Sequence, residues 1–331
     1  MRSKWLLRTA IIVVIFAVLG FFIRIDYFVL SPSRAVELRD LITVENADEG
    51  DRGVFYLVTV TQQRASLLTA LYGYFHPHME INPMDSVIPS DMDESEYRQL
   101  LSEIMIESQH LAQVVALRRA GYEVEIISDG VEIVDFLENA PAGGFLEIGD
   151  TITAVDGNPV FLATEVPLLV QDRMVGATVA VSIIRDDEEM LQFIPTGPSP
   201  EDEQMPFLGI FIRTLSWEPV MPIDISMNTG RIGGPSAGLM FVLEILNQIL
   251  EEDLSAGRAI AGTGTIDMNE KVGRIGGTAQ KVIAAERAGA EYFLVPQGNY
   301  EAALEVARNI EIVPVENLEE ALVFLLALDQ S

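Results

Sequence analysis

The segment from Gly230 to Leu250 limits the folds open to this chain more than any other. Gly233 and Gly234 permit a tight turn with positive φ, and the proline that follows them suits the first turn of a helix. The apolar run from Ser236 to Leu250 then predicts a long helix buried in a core. Short strands alternate with helices around this segment, which predicts an α/β domain over residues 207–331.

The balance of charge and hydrophobicity excludes several classes of protein. Among 331 residues, 50 are acidic and 21 are basic, which gives a formal charge of −29, yet 49% are hydrophobic. So many apolar residues exclude a disordered acidic tail, and the acidity argues against nucleic acid as a partner. The sequence has no cysteine, which excludes disulfides, cysteine nucleophiles and thiolate metal sites. The length predicts two or three domains.

The N-terminal residues predict a membrane anchor. The apolar run from Thr9 to Ile23, with the apolar residues before it, approaches the roughly 20 residues that span a bilayer. Arg2, Lys4 and Arg8 precede its core, so the positive-inside rule places the N-terminus in the cytoplasm and the rest of the chain outside the cell membrane. A cleaved signal peptide is the alternative, but no small-x-small cleavage pattern follows the run. We therefore assign residues 1–30 to a cytoplasmic tip and a retained single-pass transmembrane helix.

Three regions separate this anchor from the α/β domain. Residues 31–120 hold a strand-like run and a helical pattern, and they would either complete the C-terminal fold or gate access to it. Residues 121–197 alternate short strands with Gly and Asp turns around one helix, which predicts a small β-barrel-like domain. Residues 198–206 combine prolines with an acidic run, as is typical of a linker. The chain is thus predicted to be a multidomain α/β protein.

Ser236 is a candidate nucleophile. The Gly-rich turn places it at or near the start of the predicted helix, where backbone N–H groups are unpaired and the helix dipole is positive. The N–H groups of Gly234, Ser236 and Ala237 would there stabilise an oxyanion beside the serine hydroxyl. The alternative is an ordinary serine that caps the helix.

Lys281 is the candidate base for that nucleophile. Residues 207–331 contain no histidine, so no Ser–His–Asp triad can form within them. The chain has only three lysines, Lys4, Lys271 and Lys281, and the last follows a second Gly-rich helix start. Alanines occupy the neighbouring helical positions, so no acid pairs with this lysine there and another element can approach closely. Burial would lower its pKa and leave a neutral amine as general base. The alternative is a solvent-exposed lysine, which fits Lys271 better.

Several segments together resemble the proteolytic domain of Lon. They are Ile232-Gly-Gly-Pro-Ser-Ala-Gly238, Gly262-Thr-Gly-Thr-Ile266, Val272-Gly-Arg-Ile-Gly-Gly-Thr-Ala-Gln-Lys281 and Ala288-Gly-Ala290 with Phe293-Leu-Val-Pro296. The resemblance implies a serine peptidase with a Ser–Lys dyad, in which Ser236 matches the serine and Lys281 the lysine. It also implies that the hydroxyl of Thr263 holds the lysine amine. The phosphate-binding loop of the Lon ATPase part, Gly-x-x-x-x-Gly-Lys-Ser/Thr, does not occur in this sequence.

Residues 121–197 resemble a PDZ domain. The resemblance rests on the segments Gly130-Val-Glu-Ile-Val-Asp135, Ala140-Pro-Ala142, Leu146-Glu-Ile-Gly-Asp-Thr-Ile152 and Val155-Asp-Gly-Asn-Pro-Val160. It implies that chain termini or extended segments bind by adding a strand to a sheet edge. Gly130, Val131, Glu132 and Ile133 match the carboxylate-binding loop, although this segment lacks the usual Gly-Leu-Gly-Phe pattern.

The order of anchor, PDZ-like domain and Lon-like domain resembles the membrane-anchored PDZ–Lon-like serine proteases of Gram-positive bacteria, the YlbL family. That resemblance implies an ATP-independent endopeptidase outside the cell membrane, which cleaves exported proteins or peptides presented by its PDZ domain. The resemblance of the C-terminal domain to Lon also implies a homo-oligomeric ring. We expect no cofactor and no metal, since His76 and His78 have no third ligand near them in the sequence. The alternatives are a non-enzymatic PDZ adaptor with a degenerate protease domain, and a regulator of another protease that uses its dyad only for self-cleavage.

Overall fold

The chain folds into two compact units, of which the second is inserted into the first. The computed structural model describes residues 20–45, 47, 50, 52–76, 78–88, 92–137, 139–171, 173–199, 205–230 and 232–328. The described residues up to Glu123 and from Pro222 onward form the larger unit, and Val124–Met221 form the smaller unit. The N-terminal region of open role and the C-terminal α/β region therefore build one body together.

A six-stranded sheet forms the centre of the larger unit. In spatial order its strands are β20 (Glu311–Val315), β19 (Tyr292–Pro296), β16 (Ala259–Gly262), β3 (Val54–Ser66), β1 (Arg24–Glu37) and β4 (Glu80–Pro83). The strands from β20 to β3 are parallel, and β1 lies antiparallel to both β3 and β4. Strand β19 is buried along almost its whole length, as expected for a parallel strand covered on both faces.

The helices and short hairpins of the larger unit pack around this sheet. Its helices are α1 (Leu67–Phe75), α2 (Glu94–Arg119), α4 (Gly238–Ile249), α5 (Thr278–Arg287), α6 (Tyr300–Leu304) and α7 (Leu318–Leu328). Two-stranded sheets join β2 (Ile42–Val44) to β15 (Ile225–Met227) and β17 (Thr265–Ile266) to β18 (Val272–Gly273).

Two helices of the larger unit show how the sequence sets their ends. In α2 the side chain of Asp93 accepts the N–H of Glu96, whose own carboxylate accepts the N–H of Asp93, so a capping box starts the helix. Helix α4 is buried on all sides, as its apolar sequence predicts. It begins at Gly238 rather than at the predicted Ser236, because Ser236 and the next residue form a turn.

Most of the predicted membrane anchor lies outside the described residues, which begin at Gly20. The assignment of residues 1–30 to the anchor extends too far, because β1 begins at Arg24. Residues of that strand pair with β3 and β4, so their backbone groups are satisfied by a sheet: Leu30 lies opposite Gln62 on one side and Glu80 on the other. Among the helices of the described ranges, none combines the length and apolar character needed to cross a membrane.

The smaller unit is built on one twisted antiparallel sheet. In spatial order its strands are β10 (Glu188–Pro195), β9 (Thr178–Arg185), β7 (Thr151–Val155), β6 (Val131–Phe136) and β13 (Ile210–Thr214), with β8 (Asn158–Pro159) beside β7. Two further pairs join β5 (Glu125–Ser128) to β14 (Trp217–Val220) and β11 (Gly197–Pro198) to β12 (Pro206–Phe207). Helix α3 (Glu165–Gln171) buries Val166 and Val170 in the core beside the inward side chains of the sheet.

The boundary predicted at residue 197 is wrong for the smaller unit. Strand β13 pairs with β6, and β14 pairs with β5, so residues 207–221 complete the smaller unit instead of opening the α/β domain. The predicted linker, residues 198–206, partly lies outside the described residues. Its two ends, Pro198 and Pro206, are paired with each other.

Candidate active site

Two loops and one helix of the larger unit bring a serine, a threonine and a lysine together. Nζ of Lys281 donates to Ser236 Oγ at 2.8 Å and to Thr263 Oγ1 at 2.8 Å. Thr263 Oγ1 in turn donates to the backbone carbonyl of Ser236 at 2.9 Å. The three residues singled out from the sequence thus form one hydrogen-bonded cluster.

Backbone hydrogen bonds join the turn that carries Ser236 to the loop after β16. The N–H of Gly264 donates to the Ser236 carbonyl at 2.9 Å, and the N–H of Leu239 donates to the Gly264 carbonyl at 3.1 Å. Gly262 ends β16 against α4, where a Cβ would lie only 2.5 Å from Met240 Sδ. This close approach brings the next residue, Thr263, against the serine turn.

Lys281 projects from the first turn of α5, and the start of that helix is fixed by its sequence. Gly277 precedes the helix with φ +67°, a conformation that L side chains rarely adopt. A Cβ there would lie 3.1 Å from Val60 Cγ1 and 3.3 Å from Leu30 Cδ2. The side chain of Asn299 braces the same turn by donating to Thr278 Oγ1 at 2.8 Å.

Burial sets the protonation of Lys281. Its side chain is only 3% exposed, and desolvation of the charged form lowers the pKa of the ammonium from 10.5 to about 7. Within the described ranges, no carboxylate forms an ion pair with it. Near neutral pH a large fraction is therefore a free amine, able to accept the proton of Ser236 Oγ.

The backbone around Ser236 offers fewer oxyanion donors than the sequence predicts. The N–H of Gly234 donates to the carbonyl of Leu101 at 2.9 Å, so the prediction for Gly234 is corrected. For the N–H groups of Ser236 and Ala237, no acceptor occurs in the part of the chain that the structure describes. These two groups remain as candidate oxyanion donors.

The serine and the lysine line a cleft of about 810 Å³. Its walls come from β1, β3 and α2 as well as from the loops that carry the dyad. Apolar side chains contribute much of them, among them Leu41, Leu57, Leu101 and Met105. The sequence analysis missed these residues as parts of a site. Their strand-like and helical patterns predict elements but do not point to a cleft.

The predicted peptide-binding loop of the smaller unit does not have a free edge. Val131 and Ile133 are buried in β6, which pairs with β13 on one side and β7 on the other. Glu132 lies opposite Arg213 in the same ladder. An added strand therefore has no place along Gly130 to Ile133, and this prediction is wrong.

A groove in the smaller unit lies instead between α3 and β13, the last strand of the sheet. It encloses about 240 Å³ and is lined by Val166 and Val170 of the helix and by Ile210 and Ile212 of the strand. The segment Phe207-Leu-Gly-Ile210 leads into β13. It is closer to the Gly-Leu-Gly-Phe pattern than the segment at Gly130, and this likeness was the signal available in the sequence.

The part of the chain that carries Ser236 and Lys281 is similar to a known domain. Residues 221–328 match the family model of the Lon protease (S16) C-terminal proteolytic domain. We call them the Lon-type domain. Lon protease 2 of Bacillus subtilis (strain 168) is 33% identical over 114 residues, which are 34% of this chain and 20% of that protein. The archaeal Lon protease of Methanocaldococcus jannaschii is 34% identical over 107 residues, which are 32% of this chain and 16% of that protein.

The chain thus spans a fifth or less of the length of these relatives. The similarity is confined to the Lon-type domain, about a third of this chain. Among solved structures, the PDZ domain of an SdrC-like protein from Listeria monocytogenes is similar, with 26% sequence identity and a TM-score of 0.24. The match covers 27% of this chain and 92% of that one. A PDZ domain from Listeria innocua has the same identity and TM-score and is covered to 98%.

Proposed function

We propose that the protein is a membrane-anchored serine endopeptidase that cleaves exported proteins or peptides without ATP. The observation that carries the proposal is the 2.8 Å contact between the buried amine of Lys281 and the hydroxyl of Ser236 at the wall of an open cleft. A buried lysine without a carboxylate partner is unfavourable for folding, and its retention beside a serine favours a catalytic role.

The reaction follows from the positions of these groups. Neutral Lys281 takes the proton of Ser236 Oγ as the oxygen attacks the scissile carbonyl carbon. The N–H groups of Ser236 and Ala237 stabilise the resulting oxyanion. The Lys281 ammonium then gives its proton to the leaving amine as the C–N bond breaks. Water attacks the acyl-enzyme ester, passes a proton to Lys281, and the proton returns to Ser236 Oγ. Thr263 holds the amine in line throughout.

The smaller unit supplies a second element of the proposal. Strand β13 has one edge without a sheet partner among the described residues, and this edge borders the groove against α3. An extended segment of a substrate would pair with that edge while its side chains enter the groove. Without an attached unfolding motor, flexible chains should be better substrates than stably folded ones.

The location of the enzyme in the cell is inferred from the sequence. The charge-free run at residues 9–23 with basic residues before it favours a single-pass anchor, with a cytoplasmic N-terminus and the catalytic unit outside the cell membrane. Assembly into a homo-oligomeric ring is part of the same proposal and is based on the likeness to Lon alone.

The test is hydrolysis of an unfolded protein such as casein by the full chain in detergent, without ATP. We expect the parent to cleave it and both Ser236→Ala and Lys281→Met to lose at least about 100-fold in rate, because each removes one half of the dyad. Circular dichroism of each variant checks that it is folded. Cleavage by Ser236→Ala at the parent rate would refute the proposal.

The groove between α3 and β13 also supports a second candidate, a peptide-binding adaptor without catalysis. The same serine variant separates the two functions. An adaptor carrying Ser236→Ala would still complement a strain that lacks the protein, whereas the peptidase would not. Loss of self-cleavage alone, with complementation intact, would indicate a dyad that acts only on its own chain.

A further inference from the structure

An exposed apolar surface lies where the chain enters the larger unit. Helix α1 exposes Leu71, Tyr72, Tyr74 and Phe75, and the solvent reaches 79% of Tyr74 and 76% of Phe75. Phe22 and Ile23, just before β1, are 72% and 51% exposed. We call these six residues the apolar face. Water around such rings is unfavourable, so a partner that covers them would stabilise the protein.

The two parts of the apolar face belong to one surface. The N–H of Leu67, at the start of α1, donates to the carbonyl of Ile23 at 3.0 Å. A Cβ on Gly20 would lie 3.1 Å from Leu68 Cγ, so the chain before β1 contacts the first turn of α1. The backbone that leads into the larger unit is thereby held against the helix.

On α1 the exposed rings share one side of the helix. Leu71, Tyr74 and Phe75 follow the i, i+3, i+4 spacing of a single helix face. The opposite side packs inward: Gly73 is buried, and a Cβ there would lie 3.3 Å from Ile81 Cδ1. The apolar face is therefore a continuous outward surface and not a set of scattered side chains.

The distribution of charge marks the same surface. The sequence has two charge-free runs of 15 residues, 9–23 and 65–79. Their borders meet, because Nη1 of Arg24 donates to the carbonyl of Arg64 at 2.8 Å. In a chain with a formal charge of −29, neither run contains a carboxylate, and the described residues of the apolar face all belong to these two runs. Such a surface suits a partner that excludes charge.

We propose that the apolar face lies in the interfacial layer of the lipid bilayer and holds the larger unit against the membrane from which the chain emerges. The inference rests on the anchor of the proposed function. Tyrosine rings favour this layer, where one end of the ring is apolar and the other wet, and Phe and Leu side chains enter its apolar side. Phe22 and Ile23 are the last two residues of the charge-free run 9–23, so a run that spans the bilayer ends at the apolar face without a linker.

A second copy of the chain is a weaker occupant for this surface. From their exposed fractions the six side chains offer on the order of 800 Å², about what each partner of a stable protein interface buries, so area alone does not decide between the two occupants. A bilayer needs no complementary shape, and it lies next to the face by virtue of the chain itself.

The proposal narrows the class of substrate. Leu30, which lines the catalytic cleft, is seven positions along β1 from Ile23, or about 23 Å at roughly 3.3 Å per residue. With the apolar face in the interface, Leu30 at the wall of the cleft lies no more than about 23 Å from Ile23 at the membrane. The substrates of the cleft are then segments of exported or membrane-bound proteins within roughly seven extended residues of the bilayer.

The test uses the full chain in lipid nanodiscs that hold one copy each. Because the sequence has no cysteine, Tyr74→Cys and Val323→Cys each introduce a single labelling site. Val323 is the matched control, since it is 58% exposed on helix α7 of the same unit. Each variant carries the same small environment-sensitive fluorophore, which is challenged with spin-labelled lipid and with aqueous iodide.

We expect lipid quenching at position 74 to exceed that at position 323 by roughly threefold or more, and iodide quenching to show the reverse order. Equal iodide quenching at both positions, in discs from which the chain cannot be extracted by high salt, would overturn this inference and leave the anchor intact. A chain that salt removes from the discs would refute the anchor instead. Protection of position 74 in crowded vesicles but not in single-copy discs would assign the face to a second copy and overturn the proposal.

Discussion

At the scale of single residues, the proposed chemistry depends on the amine of Lys281. Its pKa of about 7 means that the ammonium predominates below neutral pH and cannot act as base. We predict that kcat/KM for a peptide rises about tenfold per pH unit up to pH 7 and then levels off. A pH profile on the full chain measures this. A rate that is flat from pH 5.5 to 9 would contradict it.

The burial of Lys281 also has an effect on stability. The folded-state pKa of about 7 lies below the ordinary 10.5, so the unfolded chain binds the proton more tightly. The free energy of unfolding therefore falls as the pH drops from 10.5 to 7, and no further decrease arises below that range. We predict that Lys281→Met raises the stability at pH 7 by about 2 kcal/mol or more, and that the gain shrinks toward pH 10.

Thermal melting of the parent and of Lys281→Met at pH 7 and pH 10 measures this difference. Lys271→Met is the control, because Lys271 is exposed. The difference in melting temperature between this variant and the parent should be the same at pH 7 and pH 10. A lower melting temperature for Lys281→Met at pH 7 would mean that its two hydrogen bonds outweigh the burial of the charge.

At the scale of elements, the start of α5 decides where the lysine points. Gly277 has φ +67°, and a Cβ there would lie 3.1 Å from Val60 Cγ1, whereas the neighbouring Gly276 has no heavy atom within 4 Å of its would-be Cβ. We predict that Gly277→Ala destabilises the protein by about 1–3 kcal/mol and lowers kcat. Gly276→Ala should change the stability and kcat by much less. Urea unfolding and peptide hydrolysis of the two variants test this, and equal effects would count against the argument.

Most elements follow from local sequence, but the sites that depend on pairing do not. Gly-rich segments mark the serine turn and the lysine helix, so the sequence alone singles out Ser236 and Lys281, whose side chains lie in contact in the structure. The groove of the smaller unit cannot be predicted from the sequence, because only the sheet order shows that β6 lies inside the sheet and β13 at its end. For the same reason the sequence does not show that β1, β3 and α2 form walls of the cleft. These elements meet the dyad only in the folded larger unit.

At the scale of the whole molecule, the smaller unit is an insertion with neighbouring ends. Strands β5 and β14 pair with Glu125 opposite Val220, so a short turn can replace residues 124–221. All residues that line the catalytic cleft lie outside that range. We predict that the shortened chain stays folded and cleaves a short flexible peptide within a few-fold of the parent rate. Its preference for longer substrates should be lost.

A fluorogenic peptide and an unfolded protein, assayed side by side, measure both parts of this prediction. Loss of activity on both substrates, with an intact circular dichroism spectrum, would show that the smaller unit takes part in the chemistry and not only in substrate choice.

The discontinuity of the larger unit also has a consequence during synthesis. Strand β3 pairs with β16, about 200 residues later in the chain, so the central sheet cannot close while the C-terminal part is still inside the ribosome or the export channel. The early segments supply the cleft walls, and the late segments supply Ser236 and Lys281. Under the proposed function, a nascent chain halted partway through export would therefore have no assembled peptidase. Only a chain made through Lys281 would bring both residues of the dyad to the cleft walls.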